Sequence, residues 1–179
     1  MMGSIEINTS IKRSGARAGD DIYVTGSLGA AALCLKKINE GVKPSESELI
    51  SLNKPIPRLE LGSALRNIAS SCIDISDGLE QDLSHILKSS NVGAIIYIDK
   101  LPLDNSVSNY VKDSNDWSLP LCGGDDYELC FTAGKSKRKK IKELSEGLKV
   151  RVTRIGVINN QKELEIVGYN GPKSSYQHF

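Results

Sequence analysis

Apolar and polar positions alternate over short stretches of the chain and then recur at helical spacing, a pattern that predicts interleaved strands and helices. Residues 21–26, "DIYVTG", are β-rich and follow "RSGARAGD", a loop punctuated by glycine and aspartate. From Ser27, "SLGAAALCLKKINEG" is rich in Ala and Leu, ends at Gly41 and predicts a helix buried on one face. "PSESELISLNK" predicts a short helix capped by Ser45 or Ser47. The prolines of "PIPR" separate it from an amphipathic helix in "LELGSALRNIASS". "SCIDIS" then alternates like a strand, and Leu79, Leu83, Ile86 and Leu87 follow at helical spacing.

Farther on, "VGAIIYIDKLPL" predicts a β-branched strand ended by a proline turn, and "NSVSNYVKDSND" a short helix. "DDYELCFTA" sets Tyr127, Leu129 and Phe131 against Glu128, Cys130 and Thr132, which predicts a strand with one core face. A helix in "SKRKKIKELSEGL" and strands in "VRVTRIGVI" and "ELEIV" complete the order, and "GYNGPKSSYQHF" is loop-like. The expected class is α/β (α+β), a mixed β-sheet covered by helices.

Composition narrows the function classes. A chain of 179 residues suits one substantial domain, and 25% charged with 39% apolar residues is the balance of an ordinary globular protein. Its net charge of +1 gives no global field for nucleic acid or an acidic membrane, so an anion site has to be built locally. The run "GKSKRKKIK" continues into Ile141, Leu144 and Leu148 as one amphipathic helix whose cations face water. No apolar run approaches a bilayer span, and "MMGSIEINTS" lacks a signal-peptide pattern; a cytoplasmic protein with no membrane partner is expected. Cys34, Cys72, Cys122 and Cys130 sit singly without C-x-x-C spacing, which argues against a thiolate metal site and leaves carboxylate metal binding open.

Candidate chemistry concentrates in three stretches. In "CIDISDGLEQDLSHI", strand periodicity puts Asp74 and Ser76 on one face and Ile73 and Ile75 on the other. Asp77 then opens the helix, as an N-cap reinforced by Glu80 or as a ligand. A carboxylate inside an apolar strand needs a partner, so Asp74 is expected either to pair with an arginine such as Arg58 or Arg66 or to bind a metal such as Mg²⁺. In "LCGGDDYEL", the glycines and Asp125 and Asp126 form either a plain turn or a ligand site lined by Asp125, with Asp126 turned away or in a structural pair. "RSGARAGDD" offers Arg13 and Arg17 in a glycine-containing loop suited to phosphate, or simply solvated. His85 and His178 have no neighbouring triad pattern.

The succession "RSGARAGDDIYVTGSLGAAALCL", "PIPRLELGSAL", "CIDISDGLEQDLSHI", "LPL", "LCGGDDYELCFT", "RIGVI" and "YQHF" resembles the thiamine-monophosphate kinase family, from about residue 10 to the end. That family belongs to a superfamily with aminoimidazole ribonucleotide synthetase and selenophosphate synthetase. The resemblance implies ATP-dependent phosphorylation of thiamine monophosphate to thiamine diphosphate, assisted by Mg²⁺. Carried over by position, Asp74 and Asp77 would be metal ligands, Ser76 and Arg13 would contact ATP, and Asp125 would contact the thiamine substrate. A substrate-packing aromatic of the family falls on Lys173 here, with Tyr169 a substitute only if the tail shifts. The resemblance further implies that residues 1–12 link to, or remain from, an absent N-terminal ATP-binding domain. Residues 13–179 would then be the C-terminal domain, with 168–179 its tail. The full-length enzyme would be a homodimer, and this chain would hold half an active site and be inactive alone. The alternatives are a domain of another ATP-dependent member of the superfamily and a non-catalytic interaction module.

Overall fold

The computed structural model describes residue 6 and residues 9–171. Six strands, β1 (Asp21–Thr25), β2 (Ser71–Ile75), β3 (Gly93–Tyr97), β4 (Glu128–Ala133), β5 (Val152–Asn159) and β6 (Leu164–Val167), form one sheet in the order β2-β4-β1-β5-β3-β6. Every pairing is antiparallel except β3 with β6, so the sheet is mixed, as expected. The helices are α1 (Ala30–Asn39), α2 (Glu46–Asn53), α3 (Leu59–Ala64), α4 (Leu79–Ser90), α5 (Asn105–Ser114), α6 (Ser118–Cys122) and α7 (Arg138–Leu148).

Alternation along the strands sends side chains to two separate cores. Ile22, Val24, Ile73, Ile75, Cys130 and Ile96 pack with Leu79, Leu83 and Ile86 of α4 on one face. Tyr23, Phe131 and Ala133 pack with Leu61 of α3 and Ile141 of α7 on the other. Tyr23 and Phe131 face each other in the β1–β4 register and stack with ring centroids 5.1 Å apart, the offset contact that aromatic cross-strand pairs favour.

Local chemistry accounts for several boundaries. Ser45 caps α2, with Glu48 closing a capping box, and Asp104 caps α5 by accepting the Val107 N–H. In α7 the cations face outward and Ile141 is buried, as the amphipathic pattern requires. Two expectations fail. Both faces of β4 are buried, because α4 covers the Cys130 side while α3 and α7 cover the Phe131 side, and Tyr127 lies outside the strand with φ +50°. The five-residue helix α6 is missing from the sequence reading, since "SLPLC" is too short to show a period and carries a proline.

Candidate active site

Edge strand β2 ends in the turn Ser76-Asp77-Gly78, and the segment Cys122–Tyr127 enters β4 beside it. Backbone hydrogen bonds join the two: Asp125 N–H donates to the Ser76 carbonyl at 3.0 Å and Tyr127 N–H to the Ile75 carbonyl at 2.9 Å. Glycine allows the approach. A Cβ on Gly124 would fall on the Ser76 carbonyl oxygen, and one on Gly78, whose φ is +109°, would lie 2.7 Å from the Cys122 carbonyl carbon. Asp125 itself has φ +66° and is exposed, its carboxylate accepting from the Tyr127 hydroxyl at 3.2 Å. Two non-glycine residues in the left-handed region within three positions mark a constrained segment.

The carboxylates take different positions from those expected. Asp74 is exposed, not buried; Ile73 and Ile75 fill the core while Asp74 projects on the outer face of an edge strand, where water removes the need for a partner. Arg58 is not its partner, because Arg58 forms a bidentate pair with Glu128, Nε to Oε2 at 2.7 Å and Nη2 to Oε1 at 2.6 Å. Asp77 does not cap α4, and Glu80 does not close a capping box: the N-cap is Gly78 without a side-chain bond, while Glu80 accepts from Cys122 Sγ at 3.4 Å. The Asp77 carboxylate instead accepts from Gln81 Nε2 at 3.3 Å and from Ser76 Oγ at 3.4 Å.

The N–H groups of Ser76 and Asp77 are taken by a residue the sequence reading passed over. Buried Asp82 accepts both through Oδ2, each at 3.0 Å. Its place among Leu79, Leu83 and Ile86 on the buried stripe of α4 was the available signal: a carboxylate on an apolar helix face. Burial raises its pKa, the two N–H groups oppose the rise, and the charges of Asp77 and Asp74 add to it. Asp126 turns the other way, as one of the two alternatives held, and accepts the Gly29 N–H at the start of α1 at 2.9 Å. Burial pushes its carboxyl up to about 7, against the lowering effect of the Gly29 and Ala31 N–H groups and with a further push from Glu128.

Next to this turn lies a largely apolar cavity of about 710 Å³, between α3, the 55–58 segment and the outer face of β2. Arg13, Arg66, Asp74 and Tyr127 are among its lining residues. The structure therefore brings Arg13 and Asp74 to one cavity, and sets Ser76, Asp77 and Asp125 on two bonded loops at its end. Arg13 is exposed, and its carbonyl accepts from Ser90 Oγ, which also receives the Gly15 and Ala16 N–H groups and so ties this loop to α4. Lys173 lies outside the described residues.

Among the described residues no three His, Cys, Asp or Glu side chains converge to hold a metal by themselves. Asp74 and Asp77 nevertheless fit the role of minor ligands, because Mg²⁺ is commonly held by one or two carboxylates together with water and substrate phosphates. Nor is any described helix long and apolar enough to cross a membrane.

This sheet and its paired loops place the molecule in a recognisable class: the chain belongs to the family described as AIR synthase related protein, C-terminal domain, whose model matches residues 17–168. Within that class it is similar to thiamine-monophosphate kinases. It is 39% identical over 187 aligned positions to the thiamine-monophosphate kinase of Buchnera aphidicola subsp. Schizaphis graminum, covering 99% of this chain and 58% of that protein. The crystal structure of the thiamine-monophosphate kinase from Stenotrophomonas maltophilia K279a superposes with a TM-score of 0.85 at 36% identity, over 92% of this chain and 55% of that one. A structure of AaThiL complexed with AMPPCP and TMP gives 0.79 at 27% identity, over 94% and 54%. The chain thus spans a little over half the length of these relatives.

Proposed function

We propose that the chain is the C-terminal part of a thiamine-monophosphate kinase and supplies one wall of its active site. The observation that carries this reading is the bonded pair of loops, in which Asp125 N–H meets the Ser76 carbonyl beside an arginine-lined cavity. That pairing gathers the "DISDG" and "GGDDYEL" motifs on one surface of a fold shared with kinases of this name.

The reaction transfers the γ-phosphoryl group of ATP to a phosphate oxygen of thiamine monophosphate. A new P–O bond forms to that oxygen, the bond between the γ-phosphorus and the β–γ bridging oxygen breaks, and ADP leaves. A phosphate-monoester oxygen is already anionic near neutral pH, so no side chain has to remove a proton from the nucleophile. Positioning and charge stabilisation carry most of the rate. Arg13 and Ser76 contact ATP, Asp125 contacts the thiamine moiety, and Asp74 and Asp77 would hold Mg²⁺. When bound, Mg²⁺ supplies the positive charge that offsets crowding of phosphate oxygens.

In this reading residues 13–179 form the C-terminal domain, residues 1–12 lead from an N-terminal ATP-binding domain, and the complete enzyme is a cytoplasmic homodimer. The test is thiamine diphosphate formation from ATP, Mg²⁺ and thiamine monophosphate, with this chain alone and after mixing with the N-terminal half of a related kinase. Turnover is expected only in the mixture. A normal enzymatic rate from the chain alone would overturn the half-site reading, and binding of ATP without any thiamine phosphate would move the assignment to another acceptor.

A further inference from the structure

A buried carboxylate normally has a cation beside it. Asp82 is only 3% exposed and forms no ion pair among the described residues. Its bonds run backwards out of its own helix, past Gly78, to the N–H groups of the two residues that follow β2. Starting α4 does not require this, since a serine or asparagine at the N-cap would satisfy first-turn donors without burying a charge. The bonds fix the backbone of Ser76 and Asp77 from below, while Asp125 N–H holds the Ser76 carbonyl from the side.

We propose that Asp82 is a positioning residue for phosphoryl transfer: it sets the Ser76-Asp77 turn so that Asp77 meets the metal and Ser76 the nucleotide with little rearrangement. The proposal rests on the kinase reading above. Outer residues that orient a metal ligand commonly change metal affinity by about ten- to a hundredfold when replaced. Asp82 has the geometry of such a residue, except that it acts on the ligand's backbone.

The experiment compares the isotope-labelled wild-type chain with Asp82→Asn and Asp82→Ala, each mixed with the unlabelled N-terminal half of a related kinase, using Mn²⁺ with ATP as the probe. Backbone amide NMR spectra report the fold through β1 and β5 signals, the turn through Ser76 and Asp77 signals, and metal binding through paramagnetic broadening at Asp77. Expected are unchanged β1 and β5 signals, shifted Ser76 and Asp77 signals, and half-maximal broadening at about tenfold higher Mn²⁺ in the alanine variant. Asparagine keeps the shape and one acceptor, so its shift should be smaller. Wild-type Mn²⁺ dependence in both variants, with the turn signals moved, would overturn the positioning role and leave the kinase reading intact. Absence of saturable broadening at Asp77 in the wild-type chain would overturn the metal assignment and the positioning role together. Loss of fold in both variants would return Asp82 to a stability role; if only the alanine variant unfolds, the asparagine titration decides.

Discussion

Replacing Arg58 with methionine keeps much of the side-chain volume and removes the charge from one of the best-formed ion pairs in the molecule. Glu128 is 7% exposed, receives two short guanidinium bonds, and accepts a third from the Thr25 hydroxyl. Removing one partner of a buried pair typically costs about 3–5 kcal/mol, because the remaining charge is stranded. The Arg58 side chain is 20% exposed, so water can reach the vacated place, and a loss near about 3 kcal/mol is expected. Against the stability of an ordinary domain, about 5–15 kcal/mol, this is a large fraction. In a chain of this length it corresponds to a fall in Tm of about 6–12 °C. Urea unfolding followed by circular dichroism measures the loss as a lower midpoint at constant slope. The double variant Arg58→Met, Glu128→Gln should recover part of it, because no charge is then left behind. A single variant within about 0.5 kcal/mol of wild type would show that the pair behaves as an exposed one. A double variant no more stable than Arg58→Met would refute the stranded-charge reasoning itself.

Two further outcomes follow from the site. Asp126, with its folded pKa raised to about 7 from 3.8, holds in the native state a proton that the unfolded chain releases. Its contribution to stability is therefore complete below about pH 4 and is lost as pH rises through about 7, by up to about 4 kcal/mol. Carboxylates held low run the other way: burial alone would raise Asp21, but Arg138 and Arg154 outweigh it. The measurement is thus the difference between wild type and Asp126→Asn in urea midpoint from pH 4 to 8, and a difference independent of pH would refute the shift. Asp74→Asn, at an exposed position, should leave the unfolding free energy within about 0.5 kcal/mol and lower the rate of the reconstituted kinase by about a hundredfold or more, the scale of losing one charge-stabilising contact. Equal losses of stability and rate would give Asp74 a structural role.

Most strands and helices were legible because their signals are local: the alternation of "SCIDIS", the Ser45 capping box, and the stripe of Leu79, Leu83 and Ile86. What could not be read locally depends on which strand lies at an edge. Asp74 looked costly because its neighbours are apolar, yet the price of a charge is set by the layer above it, and at the edge of this sheet that layer is largely water. The partner of Arg58 could not be read locally for the same reason, since Glu128 lies 70 positions away and reaches Arg58 only after β4 has paired with β2. Asp82 shows the converse. Its place on the stripe of Leu79, Leu83 and Ile86 was a usable sign of burial that went unused, and only the turn geometry shows that it bonds to the residues preceding its helix.

The edge position of β2 also bears on solubility. With β4 as its strand neighbour on one side and the Cys72 N–H donating to the Lys12 carbonyl at 3.0 Å on the other, the strand has an outer rim only partly covered, of the kind that templates pairing with another chain; short length and charged side chains are the usual protection. β2 is five residues long and carries Asp74 outward, and at the opposite rim β6 has four residues with Glu165 exposed. The carboxylate proposed above to hold metal is thus also a charge of the kind that discourages one rim from joining its neighbour's. An apolar residue at position 74 would then remove a ligand and expose a surface prone to self-association at once, which makes the polar, isosteric asparagine the substitution that isolates the first effect.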